Sequence, residues 1–484
     1  MSNYHKSRRD FLVRAAQGAG AFTLGGMAFN SAFASDLAAA ANPLAAPGPL
    51  APRAPHFAPK AKSVIWLHMA GAPSTIDLFD YKPELAKLDG KEVPQSFLKG
   101  VRTTTQGGIG KVFAQDHKWA QHGQSGAWFS DLLPNLAKQA DEIAFIKSSV
   151  TIGATHNISI LKLNTGALTP GRPTLGAWVQ YALGSGNPDL PAYVVLSNGG
   201  RGLEGGAAVN YGAGFLPAVY QGTPFQQGES PILYLNRPEL ISDADQRNSL
   251  DLLKTLNQYK ADRYPGDSEL RARIEANELA YRMEKSASEA VDLKNESQAT
   301  KELYGIGVAE TNAYGTNLLR ARRLIERGTR FVQVVSGESG GYKDWDAHTD
   351  VKGNNAAMAK MVDKPVAALL ADLRARGLLD STLVVWASEF GRTAYSQAGD
   401  GRDHNPWGYT QWLAGGGSKA GVTVGQTDEI GLQSVSDITV DTYDLQATVL
   451  QLLGLDHLKV TYLSNGRSER PTVVYGKVIK ELLA

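Results

Sequence analysis

Histidine and carboxylate side chains in short polar segments are the residues of this sequence that point most directly to chemistry. The chain has 484 residues and no cysteine, which excludes disulfides, thiolate metal ligands and cysteine nucleophiles. A metal site would therefore use His, Asp and Glu, ligand types that suit zinc, manganese, magnesium or calcium. The candidate segments are residues 71–77, 155–157, 344–348, 388–392 and 401–406.

Six residues in these segments are candidate ligands for a divalent cation. They are Asp77, Asp346, His348, Glu389, Asp403 and His404. Because Asp346 and His348 lie two positions apart on an extended segment, their side chains can face one side and share a cation. Asp77 could instead cap the turn that follows it. Asp and His are also common turn formers, so both interpretations stay open at each position.

Thr155, His156 and Arg402 are candidates for a direct role in catalysis. Thr155 and His156 open a predicted helix, whose N-terminal N–H groups attract anions, so either could act as nucleophile or acid/base. Simple N-capping by Thr155 is the alternative. Arg402 could bind an oxyanion bidentately. Glu389 follows a predicted strand, where a salt bridge to Arg392 would satisfy its charge without any catalysis.

Short apolar runs predict buried strands, most of them directly before these segments. The runs cover residues 63–69, 143–150, 192–197, 330–335 and 382–387. An amphipathic helix is predicted over residues 362–377, where Gly377 ends it. Helices that alternate with continuous apolar strands favour an α/β fold with a mostly parallel central sheet and helices on both faces. Ligands bind beyond the carboxyl ends of such strands, so we expect the polar segments to meet there.

The N-terminal residues 1–34 have the pattern of a twin-arginine export signal. Arg8 and Arg9 precede a weakly apolar, Ala- and Gly-rich stretch that ends in a small-x-small cleavage site at Ala32-Phe33-Ala34. A chance arginine pair on an amphipathic helix is the alternative. The signal predicts a periplasmic or secreted protein and makes the twin-arginine export machinery a partner.

The remaining chain is predicted to form one domain behind a leader. Residues 35–60 are rich in Ala and Pro, the composition of a flexible leader, and the domain covers residues 61–484. Within the domain, residues of about 238–314 are charged and helical with no strand candidate. We interpret them as a helical insertion, either a packing scaffold or a lid over a site.

The overall charge argues against two classes of partner. The formal net charge is +1, so nothing in it favours nucleic acid or an anionic membrane surface. No stretch of the mature region has the length and apolar character of a membrane span. The expected partner is an anionic ester substrate, for which a polysaccharide ester is one alternative.

Several motifs together resemble one known family. They lie at residues 69–74, 77–83, 171–178, 321–328, 345–348, 389–392 and 401–406. They are similar to domain-of-unknown-function family 1501, a sulfatase-like, twin-arginine-exported family of the alkaline-phosphatase-like superfamily. The likeness covers nearly the whole mature chain. It implies an alkaline-phosphatase-like fold with a divalent metal beside a nucleophile.

The chain departs from the superfamily pattern at three places. Where an Asp-His pair is expected after the strand at 382–387, the sequence has Glu389-Phe390. After the first strand, Ala70-Gly71 replaces the expected Asp, and His156 stands near the nucleophile position of sulfatases. The resemblance therefore implies an altered metal site.

Two hypotheses about function follow. The first is an exported metal-dependent hydrolase of phosphate or sulfate esters. The second is a non-catalytic secreted protein that keeps the fold and binds an anion, a glycan or a partner in the altered pocket, because a fold does not by itself determine function.

Overall fold

The structure is a computed structural model that describes most of the chain. The described residues are 49–101, 108–198, 203, 207–228, 231–232, 240–264, 268–397 and 399–484. The export signal predicted at residues 1–34 and most of the predicted leader lie outside them. Among the described residues, no helix combines the length and apolar character needed to cross a membrane.

The strands of the described residues form one large sheet and three small ribbons. The strands are β1 Ser63–His68, β2 Trp119–His122, β3 Ala127–Ser130, β4 Ile143–Val150, β5 Tyr193–Ser197, β6 Thr223–Phe225, β7 Phe331–Val335, β8 Thr382–Ala387, β9 Gly391–Ser396, β10 Arg402–Asn405, β11 Tyr409–Ala414, β12 Thr423–Val424, β13 Val440–Asp441, β14 Tyr462–Ser464 and β15 Arg467–Glu469. The nine-stranded sheet has the order β12-β4-β11-β8-β1-β7-β5-β6, and β13 also pairs with β4. All its pairs are parallel except those of β11 with β4 and β8.

Helices cover both faces of this sheet. They are α1 Pro83–Leu88, α2 Gln95–Leu98, α3 His156–Thr165, α4 Leu175–Leu183, α5 Asp243–Arg263, α6 Ser268–Val291, α7 Gln298–Leu303, α8 Ala309–Glu326, α9 Val351–Ala375 and α10 Thr442–Leu452. Successive residues of a strand point to opposite faces. Ile65 and Leu67 of β1 accordingly pack in the apolar cluster that contains α8 and α9. Val64 and Trp66 pack in the cluster that contains α3, α4 and α10.

The α/β class and the mostly parallel sheet are therefore confirmed, and a strand is present at each of the five apolar runs. Strand β11 was not predicted from the sequence, because Thr410 and Gln411 interrupt its apolar run. Both residues are nevertheless buried within the sheet. Helix α9 begins eleven residues before the predicted start. Its first turns bury polar Asn354 and Asn355, which hides the amphipathic pattern.

The ends of the predicted leader and of the predicted insertion differ from the expected bounds. Residues 49–60 are held against the domain by backbone hydrogen bonds, such as Arg53 N to Leu183 O at 3.0 Å and Lys60 N to Leu452 O at 2.9 Å. Residues 49–60 therefore belong to the folded domain and not to a flexible leader. Helices α5, α6 and α7 fill the described part of the predicted insertion. Helix α8 packs on the sheet, so the insertion ends before it.

The loop that follows β7 crosses directly over the end of β1. Trp345 N donates to Ala70 O at 3.0 Å, and the buried Trp345 ring contacts Trp386 at 6.4 Å between centroids. Gly71 lies beneath this loop with φ +94°, and a Cβ there would lie 2.6 Å from Asp346 N. Only glycine combines this backbone conformation with the close approach of the loop.

We predict that Gly71→Ala destabilises the fold by about 2–5 kcal/mol, because strain at positive φ adds to overpacking against the loop. Gly307→Ala is the matched control, since Gly307 has φ +95° and no atom within 4 Å of its Cβ position. It should cost only the conformational part, about 1–2 kcal/mol. Urea unfolding measures both. Equal losses would show that the loop can retreat from Gly71.

Candidate metal centre

Four side chains converge at the carboxyl ends of the central strands. His156, Asp346, His348 and His404 each place one ligand atom within 4.8 Å of the others. The Nε2 atoms of the three histidines lie 3.1, 3.0 and 3.5 Å from Asp346 Oδ1, in sequence order. Four ligands arranged as a tetrahedron about 2.1 Å from one ion are spaced by about 3.4 Å. The spacing of the group therefore suits a small divalent cation.

Separate parts of the chain supply this four-residue group. Asp346 and His348 lie on the loop after β7, and His156 is the first residue of α3. His404 lies on β10, which pairs with β9 in a ribbon whose register shifts between the pairs Arg402–Ser396 and His404–Arg392. The expected loop at residues 401–406 is thus largely a buried strand, because its polar side chains are satisfied inside the protein.

The far nitrogen of each imidazole contacts an oxygen that fixes its orientation. Nδ1 meets Glu389 Oε1 at 2.9 Å in His156, Ala154 O at 2.6 Å in His404, and Gln397 Oε1 in His348. These oxygens accept, so each Nδ1 donates, and a neutral ring then turns its Nε2 lone pair to Asp346. The Nε2 atoms of His156 and His404 are buried, and they face Asp346 Oδ1 at 3.1 and 3.5 Å. Such a convergence of lone pairs on a carboxylate requires a cation or extra protons.

Asp346 is ionised and pairs with the permanently charged side chain of Arg392. Arg392 Nη2 lies 2.7 Å from Asp346 Oδ1 and is fully buried. Burial alone would raise the pKa of Asp346, but the three histidines and Arg392 outweigh it and hold the pKa far below its usual range. The carbonyl oxygens of Gly71 and Ala72 fix the guanidinium in place. The partner of Arg392 is therefore Asp346, and not Glu389.

The histidines of the group have opposite acid–base properties. Burial would lower the pKa of His156, yet hydrogen bonds with Asp346 and Glu389 raise it to about 9. Burial, followed by the charge of Arg392, lowers the pKa of His404 to about 4. At neutral pH, His404 is therefore neutral and can bind a cation directly. His156 is protonated and must release its proton before it binds a cation.

Glu389 lies behind His156 and outside the four-residue group. Its Oε1 accepts from Gly71 N and His156 Nδ1, each at 2.9 Å. Its Oε2 lies 3.6 Å from Nε2 of His68, which is fully buried. Burial would raise the pKa of Glu389, but hydrogen bonds with His156 and His68 lower it well below its usual value.

Asp77 and Arg402 pair with each other outside the group. Nε and Nη2 of Arg402 reach the two carboxylate oxygens of Asp77 at 2.9 and 3.0 Å. Arg402 also donates to the carbonyl oxygens of Thr393 and Phe113, at 2.8 and 2.9 Å. Ser74 donates to Asp77 at 2.6 Å. This pair is a buried structural contact, so the structure does not bring Asp77 to the cation position or direct Arg402 at an anion.

The two remaining candidates lie next to the group in sequence. Asp403 accepts from His404 N at 2.7 Å, and its own N–H donates to Thr393 Oγ1 at 3.0 Å. Asp403 is thus part of the ribbon that carries His404, outside the group of four. Thr155 is the N-cap residue of α3, and its side chain makes no capping hydrogen bond. The capping alternative is therefore not what the structure shows.

The fold and site define an α/β protein with a candidate three-histidine, one-aspartate cation centre. Residues 61–483 match the family described as "Protein of unknown function (DUF1501)". The chain therefore belongs to this family, and the resemblance seen in the sequence is confirmed. No curated protein is similar enough to count as a match.

Solved structures similar to this chain include phosphatases and sulfatases. An alkaline phosphatase from the Antarctic bacterium TAB5 is 13% identical, over 77% of this chain and 96% of that chain, with a TM-score of 0.32. A sulfatase from Pseudoalteromonas sp. is 13% identical, over 89% and 72%, with a TM-score of 0.34. A phosphonate monoester hydrolase from Silicibacter pomeroyi is 12% identical, over 72% and 71%, with a TM-score of 0.32. Likenesses this distant do not identify the activity of this chain.

We predict that Asp77→Asn costs about 3–5 kcal/mol of unfolding free energy, because it leaves the buried guanidinium of Arg402 without a counter-charge. The folded variant should still bind as much metal as the wild type. Asp116→Asn is the control, since the pair of Asp116 with Lys352 is exposed and its loss should leave the unfolding transition unchanged. Urea unfolding and metal analysis test this. A stable variant that loses its metal would make Asp77 a ligand.

Proposed function

We propose that this protein is an exported, metal-dependent hydrolase of phosphate or sulfate esters. One observation supports it above all: three imidazole Nε2 atoms, each fixed from behind through Nδ1, converge on one carboxylate oxygen. Metal-bound histidines in proteins have this arrangement, with the outer nitrogen donating to an oxygen. The ligands in this proposal are His156, Asp346, His348 and His404.

The residues present fit zinc, manganese or another divalent cation that accepts imidazole and carboxylate ligands. When bound there, the cation would polarise an ester oxygen and lower the pKa of a bound water. The chain's own residues prepare that position. Arg392 keeps Asp346 ionised, and the outer oxygen contacts keep the imidazoles turned inward.

The proposed cation itself favours an anionic substrate. It would offer its positive charge to an oxygen of the substrate in a buried site, where charges act strongly because water screens them little. This supports an anionic ester as the substrate class, with a polysaccharide ester as one such substrate.

The open side of the site lies at His348. Its side chain is 26% exposed, whereas those of His156, Asp346 and His404 are at most 8% exposed. In the proposed function, the substrate therefore approaches past His348. The Thr155 hydroxyl, adjacent to His156 and not used as a cap, is the side-chain nucleophile we propose. His156 is assigned to the cation.

A non-catalytic secreted protein that binds an anion, a glycan or a partner in the altered pocket is the second candidate. The observation that favours it is the sealed Asp77–Arg402 pair, because the arginine expected to stabilise an anionic transition state is fully engaged elsewhere. In either case, the twin-arginine pattern at residues 1–34 supports a periplasmic or secreted location and a role for the twin-arginine export machinery.

We predict that the protein purified without chelator contains about one equivalent of divalent metal and hydrolyses an aryl phosphate or aryl sulfate. His404→Ala should weaken cation binding by more than about 100-fold, because it removes a ligand rather than an outer contact. His457→Ala is the control. His457 is also buried but contacts Thr472 Oγ1 at 2.8 Å outside the group, so its loss should leave metal and turnover unchanged.

Elemental analysis and release of the aryl alcohol measure these two quantities. Metal without turnover in the wild type would support the non-catalytic candidate. A His404→Ala variant with full metal content would contradict the proposed centre.

We also predict that cation affinity rises by up to about tenfold per pH unit between pH 7 and pH 9. The raised pKa of His156, about 9, means that this imidazole is protonated below pH 9 without the cation and must release its proton on binding. Affinity is therefore lost as pH falls. Calorimetric titrations in buffers of different ionisation enthalpy measure the proton released. Affinity independent of pH over this range would show that His156 is not protonated in the cation-free protein.

A further inference from the structure

We infer that Glu389 is a positioning residue of this centre: it holds His156 in the orientation and tautomer that can bind the cation and does not itself bind it. The inference rests on the cation site of the proposed function. It does not depend on which ester is hydrolysed.

The contacts of one carboxylate oxygen determine the tautomer of His156. Glu389 Oε1 accepts from the peptide N–H of Gly71 and lies 2.9 Å from His156 Nδ1. An ionised carboxylate only accepts, so Nδ1 must carry a hydrogen. The lone pair of the neutral ring is then on Nε2, which faces Asp346 Oδ1 at 3.1 Å.

Packing leaves the ring little freedom to escape this contact. The ring centroid of His156 lies 4.9 Å from that of Phe390 and 4.5 Å from that of His404. Glu389 is 1% exposed and His156 7% exposed. A buried carboxylate costs several kcal/mol in desolvation unless it is well paired. Glu389 is therefore paired through His156 and Gly71 rather than through solvent.

Glu389 also makes His156 different from the other two histidines. His404 backs onto the neutral carbonyl of Ala154, and His348 onto the neutral side-chain amide of Gln397. Among the three, His156 is the ring that a carboxylate supports. A carboxylate behind an imidazole fixes its orientation and raises its basicity as a ligand. His156 should accordingly be the ligand most sensitive to the group behind it.

A double-mutant cycle with Co²⁺ and Zn²⁺ tests this role. Glu389→Gln keeps the shape of the side chain but removes its charge, and it should weaken cation binding by about 10–100-fold, the usual effect of an outer contact. In the His156→Ala background, the same change should have no further effect, because Glu389 acts through His156. Dissociation constants come from competition with a chromophoric chelator, and the visible spectrum of bound Co²⁺ reports the ligand set.

The control removes another buried carboxylate away from the centre. Asp363 accepts from the peptide N–H groups of Asn135 and Leu136. Asp363→Asn should lower stability and leave cation affinity within about twofold. If Glu389→Gln does not fold, Glu389→Asp keeps the charge with a shorter reach and enters the same cycle with His156→Ala. It should weaken binding only while His156 is present.

The outcomes separate this inference from the proposed function. Unchanged affinity in Glu389→Gln, or a further loss in the His156→Ala background, overturns the positioning role, and the further loss would make Glu389 a direct ligand. Cation binding without ester hydrolysis in the wild type would contradict the proposed hydrolase function but not the positioning role of Glu389. A wild-type protein that binds no cation overturns both.

Discussion

The centre of this protein depends on one buried carboxylate oxygen that is surrounded by nitrogen. Asp346 Oδ1 lies within 3.5 Å of three imidazole nitrogens and 2.7 Å from the guanidinium of Arg392. A buried charge is tolerated only when it is compensated. The guanidinium compensates Asp346, but it does not account for three imidazole nitrogens directed at the same point. Once His156 has released its proton, these nitrogens and the carboxylate are the ligands that a cation would need there.

Around that oxygen, the side chains that would bind the cation differ from those that support the surrounding backbone. The pair of Asp77 with Arg402 is sealed by backbone carbonyls and fixes the β9–β10 ribbon, which carries Arg392 and His404. The same ribbon holds the loop after β7, because Arg402 N donates to Ala347 O at 3.0 Å. The two arginines therefore have different roles. Arg402 stabilises the β9–β10 ribbon and the loop after β7, and Arg392 supplies the positive charge beside Asp346.

The sequence predicts five of the nine strands of the sheet, those with continuous apolar runs. Because the carboxyl ends of parallel strands meet, Asp346, His348 and His404 could be named as candidate ligands, whereas His156 was named for catalysis. The sequence could not predict which of the candidates contact the proposed cation position and which, such as Asp77, Glu389 and Arg402, lie outside it. This distinction depends on which oxygen meets which donor, and Asp77 and Arg402 are 325 positions apart. Nor does any local pattern mark Gln397 as the contact behind His348.

Gly71 connects the two sides of the centre through its backbone. A side chain there would collide with the backbone of Trp345 and Asp346, so the close approach of this loop requires glycine at the end of β1. The peptide group of Gly71 serves both sides of the centre. Its N–H donates to Glu389 and its carbonyl accepts from Arg392. One peptide group at the end of β1 therefore positions both Glu389, which lies behind His156, and Arg392, which lies beside Asp346.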